Sequence, residues 1–117
     1  MIEGIKAHMF SGMPNPEWEP TESEAKEITA KLQNLEPINT EPRRGLDGFT
    51  IKYEDGSYVD VHDGRVHIND GRVHSIWMDT NNLEILLFNQ ALGHIGGDLA
   101  AALKKNYEAK HGRKGRL

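Results

Sequence analysis

Histidine is the one enriched reactive side chain in this 117-residue sequence, at positions 8, 62, 67, 74, 94 and 111. Two of these stand in a tandem echo, Asp63-Gly-Arg-Val-His67 and Asp70-Gly-Arg-Val-His74, seven residues apart. If each Asp-Gly closes a two-residue hairpin, Asp60, His67 and His74 lie side by side on three adjacent strands about 4.8 Å apart. Two imidazoles and a carboxylate so placed suit Zn²⁺ or another divalent ion with an open coordination position. The same set suits acid–base chemistry, with Asp60 orienting His67. Neither His-x-His nor His-Glu-x-x-His spacing accompanies it, however. In this register Lys52 sits beyond Asp60 and competes for its charge. The set then reads as cross-strand polar pairs on a solvated face, Lys52–Asp60 above all, each worth a few tenths of a kcal/mol.

Other chemistry is sparser. Cysteine is absent, which excludes a disulfide framework, Cys-ligated metal sites and a thiol nucleophile. Ser11 and Ser57 fall in turns without the Gly-x-Ser-x-Gly setting of a nucleophile elbow. Gly93-His94-Ile95-Gly96-Gly97 lacks the Gly-Lys-Ser/Thr of a phosphate cradle and reads as a helix junction. Residues 10–20 are a candidate ligand loop, with Trp18 as aromatic anchor and Asn15 as polar contact. Alternatively they form a rigid connector whose Trp18 packs beside the next helix.

These groups need elements to position them. Residues 2–10 alternate as a strand, with Ile5, Ala7 and Met9 on one side. Pro14, Pro16 and Pro20 then exclude helix and central strand. Thr21 and Glu24 form the two halves of a capping box. It opens a helix with the stripe Ala25, Ile28, Leu32 and Leu35, which Pro37 stops. Three Asp-Gly pairs between residues 49 and 77 predict a four-strand meander. A turn at Asp63-Gly64 sets His62 opposite Arg65, Asp60 opposite His67 and Val59 opposite Ile68. A turn at Asp70-Gly71 sets Ile68 opposite Val73 and His67 opposite His74. For the first hairpin a three-residue turn, Asp55-Gly56-Ser57, pairs Tyr53 with Val59 and Ile51 with Val61. These choices collect Phe49, Ile51, Tyr53, Val59, Val61, Val66, Ile68 and Val73 on one apolar face. The other face carries Tyr58, Asp60, His62, Arg65, His67 and His74, suited to solvent or a ligand.

Asp79, Thr80 or Asn81 can cap a second helix carrying Leu83, Leu86, Leu87 and Leu92, and Asp98 a third carrying Leu99, Ala102, Leu103 and Tyr107. The pattern does not decide whether residues 82–110 form one kinked helix or two, nor where strand 2–10 joins the sheet. The expected fold is α+β, in the order β-α-β-β-β-β-α-α: an antiparallel four- to five-strand meander with helices on one face. Residues 1–110 form the domain, and the basic tail 111–117 frays.

The run Phe10-Ser11-Gly12-Met13-Pro14-Asn15-Pro16-Glu17-Trp18, followed by the acidic capped helix, resembles the opening of small uncharacterised bacterial proteins reading Phe-Ser-Gly-Arg-Pro-Asn-Pro-x-Trp. Met13 replaces their Arg. The resemblance covers about the first 35 residues. It implies a shared small domain and carries over no catalytic residue, cofactor or substrate.

The overall charge is −4. Residues 104–117 carry six basic side chains against Glu108, which leaves residues 1–103 at −9. An acidic body steers toward a basic partner and away from nucleic acid, where phosphate contacts supply most of the affinity. No apolar run is long enough for a membrane span, and the N-terminus lacks the basic start and apolar core of a signal peptide. The expected function is a cytoplasmic protein-binding module of accessory or immunity type, monomer or homodimer, without a cofactor. Trp18, Asn15, Tyr58, His62 and Arg65 are the contact candidates. The alternative is a zinc-type or metal-dependent hydrolytic site on Asp60, His67 and His74.

Overall fold

The computed structural model describes residues 1–8, 15–38, 48–62 and 64–112, the last seven of these by backbone alone. Ile2–His8 forms β1, Glu17–Trp18 β2, Glu22–Lys31 α1, Gly48–Tyr53 β3, Tyr58–His62 β4, Arg65–Asn69 β5, His74–Met78 β6, Leu83–His94 α2 and Gly97–Gly112 α3. The strands make one antiparallel sheet in the order β2-β1-β3-β4-β5-β6. This is the expected α+β architecture with β2 as an additional strand. Pro16 and Pro20 lack the N–H that a longer ladder needs, so β2 stays two residues long and at the sheet edge. The open question about strand 2–10 is answered: β1 lies inside the sheet, between β2 and β3. Met9 lies outside the described residues.

Alternation buries one face. Ile5, Ala7, Phe49, Ile51, Val59, Val61 and Val66 form a single cluster with Ile28 of α1, Leu83, Leu87 and Ala91 of α2, and Leu103 of α3. The capping box that orients α1 is present on both sides. Thr21 Oγ1 accepts from the Glu24 N–H at 3.1 Å, and the Thr21 N–H donates to Glu24 Oε1 at 2.9 Å.

The β4–β5 register matches expectation, with His62 opposite Arg65, Asp60 opposite His67 and Val59 opposite Ile68. The flanking hairpins each differ by two residues. In β3–β4 the three-residue loop is Glu54-Asp55-Gly56, so Phe49 pairs with Val61 and Ile51 with Val59. The Tyr53 N–H donates to the Ser57 carbonyl at 3.0 Å, and Gly56, at φ 90°, takes the left-handed last position of the loop. Moving the loop back gives Phe49 a buried cross-strand partner. In β5–β6 the loop is four residues, Asp70–Val73, and Val66 pairs with Trp77 and Ile68 with Ser75. Asp70 Oδ1 holds this loop by accepting from the Arg72 and Val73 N–H groups. The shift exchanges Val73, now 60% exposed, for Trp77, which packs against the core. An indole buries more apolar area than an isopropyl group, so the longer loop is favoured.

α2 is capped by Asp79, whose Oδ1 and Oδ2 accept from the Leu83 and Glu84 N–H groups at 2.6 and 2.9 Å. Another cap candidate, Asn81, instead donates to the Lys31 and Gln33 carbonyls at the end of α1. α2 and α3 are two helices, separated at Ile95-Gly96. Gly97 begins α3, so Asp98 lies in its first turn rather than at the expected N-cap. α3 runs to Gly112, two residues into the segment expected to fray, and residues 113–117 lie outside the described ones.

Candidate functional site

The three helices pack against the apolar face, and the opposite face carries the polar side chains. Register places Lys6, Thr50, Asp60 and His67 in one row across β1, β3, β4 and β5, with His8, opposite Gly48, diagonal to Thr50. Within it Thr50 Oγ1 donates to Asp60 Oδ1 at 2.6 Å. With its one hydrogen so used, that oxygen accepts from His8 Nε2, 2.7 Å away. Asp60 is thereby oriented toward Thr50, and in neutral His8 this bond places the proton on Nε2.

Lys52 does not pair with Asp60 as expected. The β3–β4 shift puts Thr50 opposite Asp60, and Lys52 Nζ donates to Glu17 Oε1 at 3.0 Å. That hydrogen bond and charge lower the Glu17 pKa below its ordinary value. His74 is also displaced: it pairs with Asn69, while His67 stands opposite Ile76. The two imidazoles still meet diagonally, with His67 Nε2 and His74 Nδ1 3.1 Å apart. Burial lowers the His67 pKa, with the charges of His74 and His62 adding to the effect and Asp60 opposing it.

The expected three-ligand metal set is therefore not assembled. Among the described residues no group of three or more His, Asp or Glu side chains is placed to hold a metal ion. The physical reason is the pair of register shifts, which give the Asp60 carboxylate to Thr50 and move His74 two residues along β5.

Of the contact candidates, Tyr58, His62 and Arg65 lie half-exposed on this polar face. Asn15 is exposed just before β2. Trp18 is 7% exposed and its ring packs edge-on to Phe49 and stacks on His94. This is the connector arrangement rather than an exposed anchor. His94 Nε2 in turn reaches Glu24 Oε1 at 2.6 Å, tying α2 to the cap of α1. At the β2 end, Glu3, Gly4, Glu17, Trp18, Glu19 and Lys52 line an open cleft of about 380 Å³. Three carboxylates there face one ammonium.

Sequence reasoning missed His8 and Thr50. Alternation already put His8 on the side opposite Ile5 and Ala7, but its neighbours depend on where β1 enters the sheet. The His8 pKa is lowered, first by burial, with Lys6 and Lys52 adding to the effect and Asp60 opposing it. The unfolded chain therefore binds a proton at His8 at higher pH than the folded one does. Stability falls as pH drops below about 6.5, the unfolded-state value. Urea unfolding at pH 7.5 and 5.5 is expected to show a smaller acid loss in His8→Gln than in the unmodified protein. Equal losses would remove His8 burial as a cause.

Among the described residues no helix is long and apolar enough to cross a membrane. In comparisons with family models, curated proteins and solved structures, nothing matches the chain.

Proposed function

We propose that this protein is a small docking module that holds a basic partner protein against the open polar face of its sheet. The observation carrying this reading is the one-sided burial. Helices cover the apolar face, whereas the other presents Tyr58, His62, Arg65 and the imidazole pair on rigid, paired strands. Rigid strands lose little entropy on binding, which favours a preformed contact surface. The acidic cleft of Glu3, Glu17 and Glu19 suits a lysine or arginine side chain of the partner, and the −9 charge of residues 1–103 speeds its approach. The absence of cysteine suits the reducing cytoplasm.

The test starts from untagged protein, purified from its own cells and examined by native mass spectrometry for a stoichiometric protein partner. With that partner purified, Glu3→Lys/Glu19→Lys is expected to weaken binding about tenfold or more, because like charges across an interface repel. Arg65→Ala and Tyr58→Ala are expected to speed dissociation. Absence of a stoichiometric partner, or affinity unchanged by all four substitutions, would overturn the reading.

A further inference from the structure

We propose that His67 and His74 form a two-imidazole clamp for a divalent transition-metal ion of the copper–nickel–zinc class. This goes beyond the docking reading and does not depend on it. The facing atoms, His67 Nε2 and His74 Nδ1, lie 3.1 Å apart, and the ring planes meet at 40°. Metal–imidazole bonds are about 2.0–2.1 Å long, so an ion bound to both nitrogens sees them about 100° apart. That angle falls between the roughly 90° of octahedral or square-planar neighbours and the roughly 109° of tetrahedral ones.

The rings already stand at chelating separation. What must change is small. The terminal ring torsion of histidine is broad, so each ring can turn to aim its lone pair at a shared ion. In the ion-free pair one facing nitrogen carries hydrogen and the other accepts it. On binding, the donor ring moves that proton to its other nitrogen, so both imidazoles ligate neutral and no net proton is released. Asp60, cross-strand from His67, adds negative charge nearby while its Oδ1 stays bonded to Thr50. Because no third protein ligand is gathered among the described residues, the remaining coordination positions are open to water or a small donor ligand. The tandem echo gains a reason here: its seven-residue offset sets one histidine on each strand of one hairpin.

The experiment is calorimetric titration of the full chain with NiCl₂ and, separately, ZnCl₂ at pH 7.5. Saturable binding of one ion is expected. His67→Gln and His74→Gln should each weaken it about tenfold or more, a loss at least as large as disturbing a supporting residue causes. His8→Gln and His62→Gln should leave it within about twofold, since neither supplies a ligand. Both ligand rings are on the solvent face, so the variants should keep the parent circular dichroism spectrum. In the nuclear magnetic resonance spectrum Ni²⁺ should broaden amide signals first around β5 and β6. The proposal is overturned if no saturable binding occurs, if the His67→Gln/His74→Gln double variant binds as tightly as the parent, or if broadening centres elsewhere.

Discussion

Gly48→Ala is expected to be among the most damaging single substitutions in this protein. Gly48 opens β3 at φ 125°, a conformation that side-chain-bearing residues rarely adopt. A Cβ there would lie 2.4 Å from the Val61 carbonyl oxygen and 2.6 Å from His62 Cβ. Val61 is fully buried and is paired to Phe49, so the obstacle is backbone held in the core rather than a loose side-chain end. Strain of this kind costs on the order of 1–3 kcal/mol from the backbone alone, before the clash is counted. Against a total stability of roughly 5–15 kcal/mol that is a large fraction. Two other glycines calibrate the effect. Gly56 shares the positive φ, at 90°, but has nothing within 4 Å of its added Cβ, so Gly56→Ala should cost clearly less. Gly93, inside α2, has neither obstacle, and Gly93→Ala should be neutral or stabilising. Urea unfolding of the three variants checks the order, and Gly48→Ala no worse than Gly56→Ala would refute the steric account.

The second large effect is expected at Leu87. This side chain is fully buried in the cluster that joins α2 to the sheet. Leu87→Ala removes buried apolar atoms and leaves a cavity that the paired strands cannot close, for a loss of roughly 2–5 kcal/mol. Ile85 on the same helix is 48% exposed, and Ile85→Ala should cost well under half as much. Similar midpoints in urea for the two variants would contradict this assignment of the buried face. The comparison is informative because α2 is apolar nearly all round. Its buried set includes Glu84 and Gln90 beside Leu83, Leu87 and Ala91. Leu86 and Leu92, on the expected stripe, are only partly buried. Among the described residues the Gln90 amide has no hydrogen-bond partner, a burial cost that the packing of its neighbours outweighs.

These cases show which parts of the protein were legible in its residues. Local signals with one solution were read directly. The Thr21–Glu24 box needs only four consecutive residues, and a two-residue turn at Asp63-Gly64 sets the β4–β5 register. Gly93–Gly97 likewise marks a helix junction from the conformational cost of glycine, without deciding between a kink and a break. Each is decided within about ten residues, so long-range packing has little to change.

What only the tertiary structure decided shares one physical cause. Strand alternation has a period of two, so a two-residue slip keeps every side chain on its proper face and the pattern cannot detect it. The choice passes to long-range contacts: Phe49 opposite Val61, and Trp77 instead of Val73 against the core. Those slips are what separated Lys52 from Asp60, joined Asp60 to Thr50 and set His74 diagonal to His67. The same limit explains His8, whose partners come from a strand 42 residues away, and Asn81, which caps a helix 48 to 50 residues upstream. The residue pattern by itself determined most of the elements, their faces and one hairpin. Tertiary packing determined which polar groups meet, because hydrogen-bonded neighbours depend on the exact register, whereas the face a side chain takes depends only on parity.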